Sequence, residues 1–404
     1  MKSNSFSSGT RAAVLVLSVL INLCVGSLYA WSVFAEPLAA RLEALTGTLP
    51  ELSIVFTIAN AVGPITMIAG GFVNDRLGPR RVLLLGSCLF GVGFFLSGSA
   101  RSLPALIGAY GLLLGLGTGM VYGCCVSNAV KFFFDRPGLA GGAATAAYGA
   151  SSVIFPPIAS ALLRSCGVTA AFRILGAATF AILIVCSLLI PAYPAKQLRA
   201  ESETHPAGLS WREMLRSPVF YLMLLMLCCG AFSGLMIISR AAALSSALVG
   251  LDAANAALVV SALALFNTFG RLLSGVLSDR FGPARCLTVF YIGSAIGAAL
   301  LLLCAVSGQA ALFYPGLALI GLCFGSVMGI YPGFTASVFG SAHNSVNYGI
   351  MFCGFAAAGY LGPSIMNGLH AALGSYAPAF AAAAALSLLG LALSLLFQRQ
   401  QKRR

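Results

Sequence analysis

The amino-acid sequence predicts an all-α membrane protein, with twelve transmembrane helices in two pseudo-symmetric bundles of six. Hydrophobic residues make up 59% and charged residues 8% of the 404 residues, whereas a soluble domain has about 25% charged residues. Apolar runs of about 20 residues, long enough to span a bilayer, recur along the whole chain. One charged segment occurs twice, about half a chain length apart, which is typical of a duplicated transporter.

The twelve predicted spans lie six on each side of a polar break at 194–216. This break is rich in Lys, Arg, Glu, Ser and Pro, as expected of a linker. It predicts an N-terminal six-helix bundle over 1–193, a cytoplasmic linker over 194–216 and a C-terminal six-helix bundle over 217–404. The spans are 13–35, 53–73, 82–99, 104–127, 139–163, 170–193, 217–239, 254–275, 286–306, 310–333, 346–369 and 375–397.

The distribution of Lys and Arg predicts which side of the membrane each loop faces. Of 23 basic residues, 17 lie in the terminal segments and the even-numbered loops, five lie on the opposite side, and Arg271 lies within a span. Because cytoplasmic loops carry the excess of basic residues, we expect a multi-pass protein of the plasma (inner) membrane with both termini cytoplasmic. The net charge of +13 thus reflects topology and predicts no nucleic-acid partner. The five residues on the opposite side are Arg41, Arg101, Arg164, Arg173 and Arg240.

The repeated charged segment lies between the second and third spans of each half. Residues 71–81 and 275–285 are identical at six of eleven positions, with an offset of 279 − 75 = 204 residues. Its Gly allows close helix approach, its Asp can hold a helix N-terminus or an Arg, and its Arg residues bind carboxylates and lipid headgroups. We expect a conformational latch, although a plain topogenic loop would also explain the pattern. The latch residues are Gly71, Asp75, Arg76, Gly78, Arg81, Gly275, Asp279, Arg280, Gly282 and Arg285.

The sequence contains no recognisable catalytic or metal site. Its twelve cysteines include no CxxC pair and are interpreted as small packing residues. The three histidines lack partners at the spacing of metal ligands. No Gly-x-Ser-x-Gly elbow or phosphate-binding loop is present. We therefore expect neither an enzyme nor a cofactor or metal site.

Arg271 is a charge inside a span, where charges are costly and usually functional. The positions one turn away are Asn267, Thr268, Ser274 and Gly275, and none of them is acidic. The chain has only ten acidic residues, none deep in a span, so an acidic partner is hard to supply. An arginine of this kind suits a substrate anion. The alternative is pairing with a helix carbonyl or with a distant acid.

Tyrosines in other spans are candidates for orienting a bound carboxylate. A hydroxyl that faces a cavity can donate to a small ligand. Each tyrosine alone could instead be a packing or interface residue, and we prefer the interface interpretation for Trp31, which lies near a predicted span end. The cavity candidates are Tyr29, Tyr122, Tyr148 and Tyr331.

The whole chain resembles the major facilitator superfamily in its twelve spans, its central linker and both charged loops. Four shorter motifs, at 26–34, 131–141, 267–271 and 347–349, look like the oxalate:formate antiporter family, which is related to the monocarboxylate transporters. This resemblance implies the major facilitator fold, a functional monomer and transport of small organic anions. It also implies that Arg271 is the anion ligand.

Two positions depart from the patterns of these families. Dicarboxylate carriers have a second buried cation, a Lys, at the position that matches Phe355. One fixed positive charge best balances a monoanion. Monocarboxylate transporters have an Asp proton site at the position of Asn267, which does not titrate. A proton would have to travel with the substrate, or through Glu36 or Asp252 near the outer mouth.

The sequence therefore favours a secondary transporter for small organic anions, working by alternating access. The expected substrate is a monocarboxylate of pyruvate, lactate or formate size, bound at the midplane between the two bundles by Arg271, Asn267 and the tyrosines. An oxalate/formate-type dicarboxylate exchanger is the main alternative. Multidrug efflux, a membrane enzyme and an anion receptor are weaker ones. The expected partners are the organic anion and membrane lipid.

Overall fold

The computed structural model describes residues 7–193 and 208–402. Of the predicted linker, residues 194–207 lie outside the described residues. Five basic residues used to predict the orientation, and one histidine, lie outside them too: Lys2, Lys196, Arg199, His205, Arg403 and Arg404.

The described residues form helices and connecting loops, without a β-strand. Eleven of these helices are long and apolar enough to cross a membrane. One of them, Pro137–Leu189, has 53 residues and would be about 80 Å long if it were straight. At Gly167 its backbone leaves the helical region, with φ 76° and ψ 172°. We therefore divide it there, which gives the twelve predicted spans.

The spans are labelled α1 to α12 in chain order. Residues 137–166 are α5 and residues 168–189 are α6. The other bounds are Ser8–Thr46 (α1), Ser53–Leu77 (α2), Pro79–Ser97 (α3), Leu103–Phe132 (α4), Pro218–Ile238 (α7), Ala254–Phe281 (α8), Pro283–Ser307 (α9), Ala310–Phe339 (α10), Asn344–Leu373 (α11) and Ala377–Lys402 (α12).

The first helix is longer than hydropathy alone predicts. It continues to Thr46 after a 3-10 turn at Gly26–Ala30. Trp31 therefore lies well inside α1, 6% exposed, with its ring 4.5 Å from that of Tyr110. The interpretation of Trp31 as a membrane-interface residue is wrong, because the polar residues that follow it continue the helix.

The chain forms two compact units. Unit 1 comprises Met1–Phe134, Ala147–Leu209 and Phe339–Ile350. Unit 2 comprises Asp135–Ala146, Ser210–Val338 and Met351–Arg404.

Each unit thus includes one short segment from the other half of the chain. Residues 135–146 belong to unit 2 and residues 339–350 to unit 1. The offset between these segments is 339 − 135 = 204 residues, the same as that of the charged loops. They contain the N-terminal ends of α5 and α11, respectively. The internal repeat therefore extends beyond the charged loops to these two helix ends.

Aromatic side chains fill the interior of unit 1. Phe34 and Phe94 both contact Phe172, with ring centroids 4.1 Å and 5.4 Å apart, respectively. Tyr110 is fully buried in the same cluster, and its hydroxyl donates to the carbonyl of Leu28 at 2.6 Å. The cluster joins α1, α3, α4 and α6, and so helps to position the helices that carry Tyr29 and Tyr122.

Candidate functional site

Arg271 lies in the interior of unit 2, where only 5% of its surface is exposed. Its neighbours approach closely because they present glycine. Gly321, Gly325 and Gly329, spaced four apart on α10, face the backbone of α8 at Leu263, Asn267 and Arg271, respectively. A β-carbon at Gly329 would lie 2.8 Å from the Arg271 Cα. Small residues at this spacing are typical of tightly packed membrane helices.

The first turns of α5 also pack against α8. A β-carbon at Gly142 would lie 2.6 Å from the Arg271 carbonyl oxygen and 3.0 Å from the Gly275 Cα. The backbone of Arg271 thus packs against two helices, which leave it little freedom.

Two hydrogen bonds orient the guanidinium group. Its Nε donates to Oδ1 of Asn267 at 2.8 Å, one turn earlier on α8. Its Nη1 donates to the Thr145 carbonyl on α5 at 3.0 Å. One alternative in the sequence interpretation, a helix carbonyl as partner, is therefore present. The second partner, Asn267, occupies the position where the resemblance predicted an Asp that could carry a proton.

No carboxylate among the described residues forms an ion pair with Arg271. Its Nη2 has no protein partner in this part of the chain. Nη2 is also not among the described polar atoms that are both fully enclosed and without a partner, so it retains some exposed surface. A guanidinium group with free, accessible hydrogens can bind an anion.

Three of the four candidate tyrosines meet in unit 1. The ring of Tyr148 lies 5.4 Å from that of Tyr29 and 5.0 Å from that of Tyr122, in edge-to-face geometry. Gly26 allows this approach, since a β-carbon there would lie 2.8 Å from the Tyr148 carbonyl. The sequence identified these three residues separately, and the structure brings them together.

The fourth tyrosine, Tyr331, lies in unit 2. It is 1% exposed, and its hydroxyl donates to the Met223 carbonyl at 2.8 Å. The hydroxyl hydrogen is thus used within the protein, so donation to a ligand would require that bond to break. Its role in binding stays a prediction.

Phe355 belongs to an aromatic stack in unit 2. Its ring lies 4.5 Å from that of Phe352 and 6.5 Å from that of Phe324, with interplanar angles of 26° and 24°. The position where the dicarboxylate carriers have a lysine is therefore apolar in its surroundings as well as in its residue type.

The first copy of the charged loop holds a helix N-terminus. Asp75 Oδ2 accepts from the backbone N–H of Val346, in the first turn of α11, at 3.2 Å. Gly71, one turn earlier, makes room for this turn: a β-carbon there would lie 2.8 Å from the Ser345 carbonyl carbon. Carboxylates are favourable at helix N-termini, where free N–H groups and the helix dipole meet them.

The second copy holds a helix N-terminus in the same manner. The carboxylate of Asp279 accepts from the N–H groups of Gly138 and Leu139 at the start of α5, both at 2.7 Å. Gly275, again one turn earlier, packs against Gly138 and Gly142. A β-carbon at Gly275 would collide with the backbone of both. The repeat thus encodes one contact twice, although its conformational role stays a prediction.

The remaining latch residues end one helix and begin the next. Gly78 and Gly282 have φ of 81° and 88°, a region that residues with a β-carbon avoid. Arg76, Arg81, Arg280 and Arg285 are all exposed.

The sequence interpretation missed Lys131 as a partner of the first loop. Lys131 was counted as a topogenic loop residue, yet it lies in the last turn of α4 with its side chain 5% exposed. Its Nζ is 2.6 Å from Asp75 Oδ1, and the side chain of Asp75 is 6% exposed. The repeat-equivalent position is Thr335 (131 + 204), so only the first copy has this pair.

Asn22 is a second polar residue whose environment the sequence did not predict. It is fully buried in α1, and neither its Nδ2 nor its Oδ1 has a partner among the described residues. Buried amides usually find partners. Asn22 therefore marks a polar position in the interior of unit 1.

Comparison with known proteins relates this arrangement to transporters. The Major Facilitator Superfamily model matches residues 14–363. The oxalate:formate antiporter of Oxalobacter formigenes is 30% identical over 367 residues, covering 90% of this chain and 85% of that protein. An uncharacterized MFS-type transporter, YhjX of Escherichia coli (strain K12), is 29% identical over 346 residues, covering 86% and 85%. Monocarboxylate transporter 11 of Mus musculus is 29% identical over 350 residues, covering 83% and 76%.

Solved structures with the same fold include two sugar symporters. The proton:xylose symporter XylE has a TM-score of 0.77 at 14% identity, with 98% of this chain and 96% of that chain covered. FucP in its outward conformation has a TM-score of 0.69 at 16% identity, with 96% and 99% covered. At these identities the likeness shows the fold alone.

Proposed function

The chain belongs to the major facilitator superfamily, and from that premise we propose that it is a secondary transporter of small organic anions, most favourably of a monocarboxylate. The observation that carries this proposal is the buried Arg271, which has no carboxylate partner among the described residues and has Nη2 accessible. Buried charges in membrane proteins are costly unless they are paired or functional. A substrate carboxylate would supply the missing counter-charge.

The orientation of Arg271 supports this role. Asn267 and Thr145 use the Nε hydrogen and one Nη1 hydrogen, and so fix the plane of the guanidinium group. The remaining hydrogens lie in a known direction and can donate in parallel to the two oxygens of one carboxylate. Ordering the guanidinium group in advance reduces the entropy lost on binding.

The count of buried cations supports a monoanion. Among the described residues, only Lys131 and Arg271 are buried basic residues. Lys131 is neutralised by Asp75, which leaves one positive charge. A dicarboxylate would bring a second negative charge to the apolar stack around Phe355. The similarity to an oxalate:formate antiporter favours the alternative, a dicarboxylate exchanger.

We further propose that the three clustered tyrosines Tyr29, Tyr122 and Tyr148 contact the substrate during transport. Transport would follow alternating access, in which a transporter opens its site first to one side of the membrane and then to the other. Asp75 and Asp279 would stabilise one conformation through the helix ends that they hold. The family and fold indicate a transporter rather than an enzyme. The excess of basic residues on one side supports cytoplasmic termini in the plasma membrane. Membership of the superfamily supports a functional monomer.

Uptake into proteoliposomes tests the proposal. Labelled pyruvate, lactate, formate and oxalate would be compared, with and without internal substrate and a pH gradient. Three proteins would be used: wild type, Arg271→Ala and Arg164→Gln. Arg164 is a matched control, because it is exposed and bonds only within its own helix, to Ser160 at 3.1 Å.

We expect saturable uptake of a monoanion that Arg271→Ala abolishes and Arg164→Gln preserves. A preference for oxalate would replace the monoanion proposal by the dicarboxylate alternative. Normal transport by Arg271→Ala would overturn the assignment of the binding site.

A further inference from the structure

Three arginines meet at one end of unit 1, far from the charged loops. Two of them contact the five-residue turn 98–102, which joins α3 to α4, and the third belongs to it. Because α3 rises about 1.5 Å per residue over its 19 residues, this turn lies about 28 Å along the helix from the loop at Gly78. The three residues are Arg41, Arg101 and Arg173, which are three of the five assigned from the sequence to the side opposite the charged loops.

Two of these arginines are anchored to the turn. Nη1 of Arg41 donates to the Gly98 carbonyl at 2.7 Å and to Oγ1 of Thr169 at 2.6 Å. Nη2 of Arg173 donates to Oγ of Ser99 at 3.1 Å, and its guanidinium carbon lies 5.5 Å from the Phe95 ring centre. These bonds hold two positive charges on one short segment.

The third arginine belongs to the turn itself and is exposed. Arg101 lies two residues after Ser99. None of the three arginines forms an ion pair with a carboxylate in the part of the chain that the structure describes. The three positive charges at this turn repel each other. An anion bound between them would reduce that repulsion.

An apolar groove of about 530 Å³ opens beside this turn. Ser99 and Arg101 line its charged end, and Leu96, Gly108, Ala109 and Leu113 line its apolar part. The last three belong to a π-helical stretch of α4, Ile107–Leu114, whose wider turns are common at functional sites.

The groove faces the membrane. Phe95, Leu96 and Leu112 are exposed by 43%, 45% and 43%, respectively, around its apolar part. In a spanning helix such side chains contact lipid hydrocarbon. The groove therefore has an apolar part at the depth of acyl chains and a basic end where the span meets the headgroups.

We propose that this groove is a binding site for an anionic phospholipid. The phosphate accepts hydrogen bonds from Arg101 and from the free hydrogens of Arg173, and one acyl chain lies in the groove over Gly108. The charges identify the headgroup as anionic, and the apolar lining identifies the rest of the ligand as a lipid rather than a soluble anion. Gly108 leaves room for the chain, since a β-carbon there would meet no atom within 4 Å.

Native mass spectrometry of the purified full-length protein tests the proposal. The protein would be titrated with phosphatidylglycerol or phosphatidylcholine, and the number of lipids retained would be counted. Two variants each change one end of the site. Arg101→Gln/Arg173→Gln removes the basic end. Gly108→Leu places a side chain in the groove, starting from a β-carbon that would meet no atom within 4 Å. Arg164→Gln is the control, since it removes one exposed arginine of the same predicted side that does not line the groove.

We expect the wild type to retain one phosphatidylglycerol in preference to phosphatidylcholine. The double variant should bind that lipid about 25-fold more weakly, from about fivefold for each arginine near an anionic headgroup. Gly108→Leu should also lose it, and Arg164→Gln should keep it. We expect each variant to fold, because none of the substitutions removes a buried side chain. Thermal unfolding in the same detergent checks this.

Three results would overturn the proposal. The first is equal retention of the two lipids by the wild type. The second is loss of retention in Arg164→Gln as large as in the double variant, which would indicate non-specific charge. The third is equal thermal stabilisation by inorganic phosphate and by phosphatidylglycerol, which would assign the cluster to soluble anions.

Discussion

The buried pair of Lys131 and Asp75 offers a sharp test of how unit 1 is held together. Both side chains are almost fully enclosed, at 5% and 6% exposure, and their charged atoms are 2.6 Å apart. Asp75 also accepts from the Val346 N–H, and Lys131 Nζ donates to Oγ of Ser345 at 3.3 Å. The pair therefore ties the end of α4 to the charged loop and to the start of α11.

We expect Lys131→Met to destabilise the protein by about 3–5 kcal/mol, because it leaves the Asp75 carboxylate buried without a counter-charge. Methionine keeps most of the volume of the lysine stem, so lost packing contributes little. Asp75→Asn alone should cost somewhat less, since the amide oxygen can still accept from Val346. The double variant should recover much of the loss, because no uncompensated charge is left.

A double-mutant cycle measures this coupling. The free energy of unfolding would be determined by denaturant titration in lipid–detergent mixtures for the four proteins. A coupling energy of about 3 kcal/mol, the upper end of the usual range, is expected, because the double variant should cost less than Lys131→Met alone. Arg76→Gln serves as the control, since Arg76 is exposed on the same loop and should change stability by less than about 0.5 kcal/mol. A loss no larger for Lys131→Met than for Arg76→Gln would refute the reasoning.

Three further predictions concern the repeat and the interior of unit 1, and unfolding free energies check each of them. Asp279→Asn should cost about 1 kcal/mol, as for a lost helix cap, and a neutral result would show that the carboxylate does not hold α5. Gly78→Ala and Gly282→Ala should each cost about 1–3 kcal/mol, because their backbone, with φ 81° and ψ 170° and with φ 88° and ψ 141°, lies in a region that is essentially confined to glycine. Gly108→Ala is the comparison, since a β-carbon there would meet no atom within 4 Å, and equal costs at all three glycines would contradict the conformational explanation. Asn22→Leu should leave stability unchanged or raise it, because it removes two buried polar atoms that lack partners, whereas a clear loss would reveal a bound partner.

The fold and the repeated contacts could be predicted from sequence because they depend on local pattern. Span positions follow from runs of apolar residues. The family comparison and the similar solved structures confirm the predicted fold class. From residue type, the repeated Asp could hold either a helix N-terminus or an Arg, and both Asp75 and Asp279 hold a helix N-terminus. Which helix each Asp holds could not be predicted, because the N-termini of α11 and α5 lie in the opposite half of the chain from Asp75 and Asp279, respectively.

The partners of buried charges could not be predicted, since they lie far away along the chain. Lys131 and Asp75 are 56 residues apart, and Arg271 and Thr145 are 126 residues apart. Hydropathy places Lys131 at a span boundary, where a basic residue is ordinarily topogenic, and only tertiary packing encloses it. The extent of α1 was underestimated for a related reason: polar residues after Trp31 look like a loop until neighbouring helices are known to bury the apolar face.

The central claim, that Arg271 binds the carboxylate of a monoanion, is tested most directly by equilibrium binding to the purified protein. Pyruvate and its uncharged analogue pyruvamide would each be titrated against wild type and Arg271→Ala. Truncating a buried charge pair costs about 2–5 kcal/mol, or at least about thirtyfold in affinity. We expect this loss of affinity for pyruvamide with the wild type and for pyruvate with Arg271→Ala. Pyruvamide should bind to Arg271→Ala with little additional loss. Equal binding of pyruvate by wild type and Arg271→Ala, or fully additive losses, would contradict the claim.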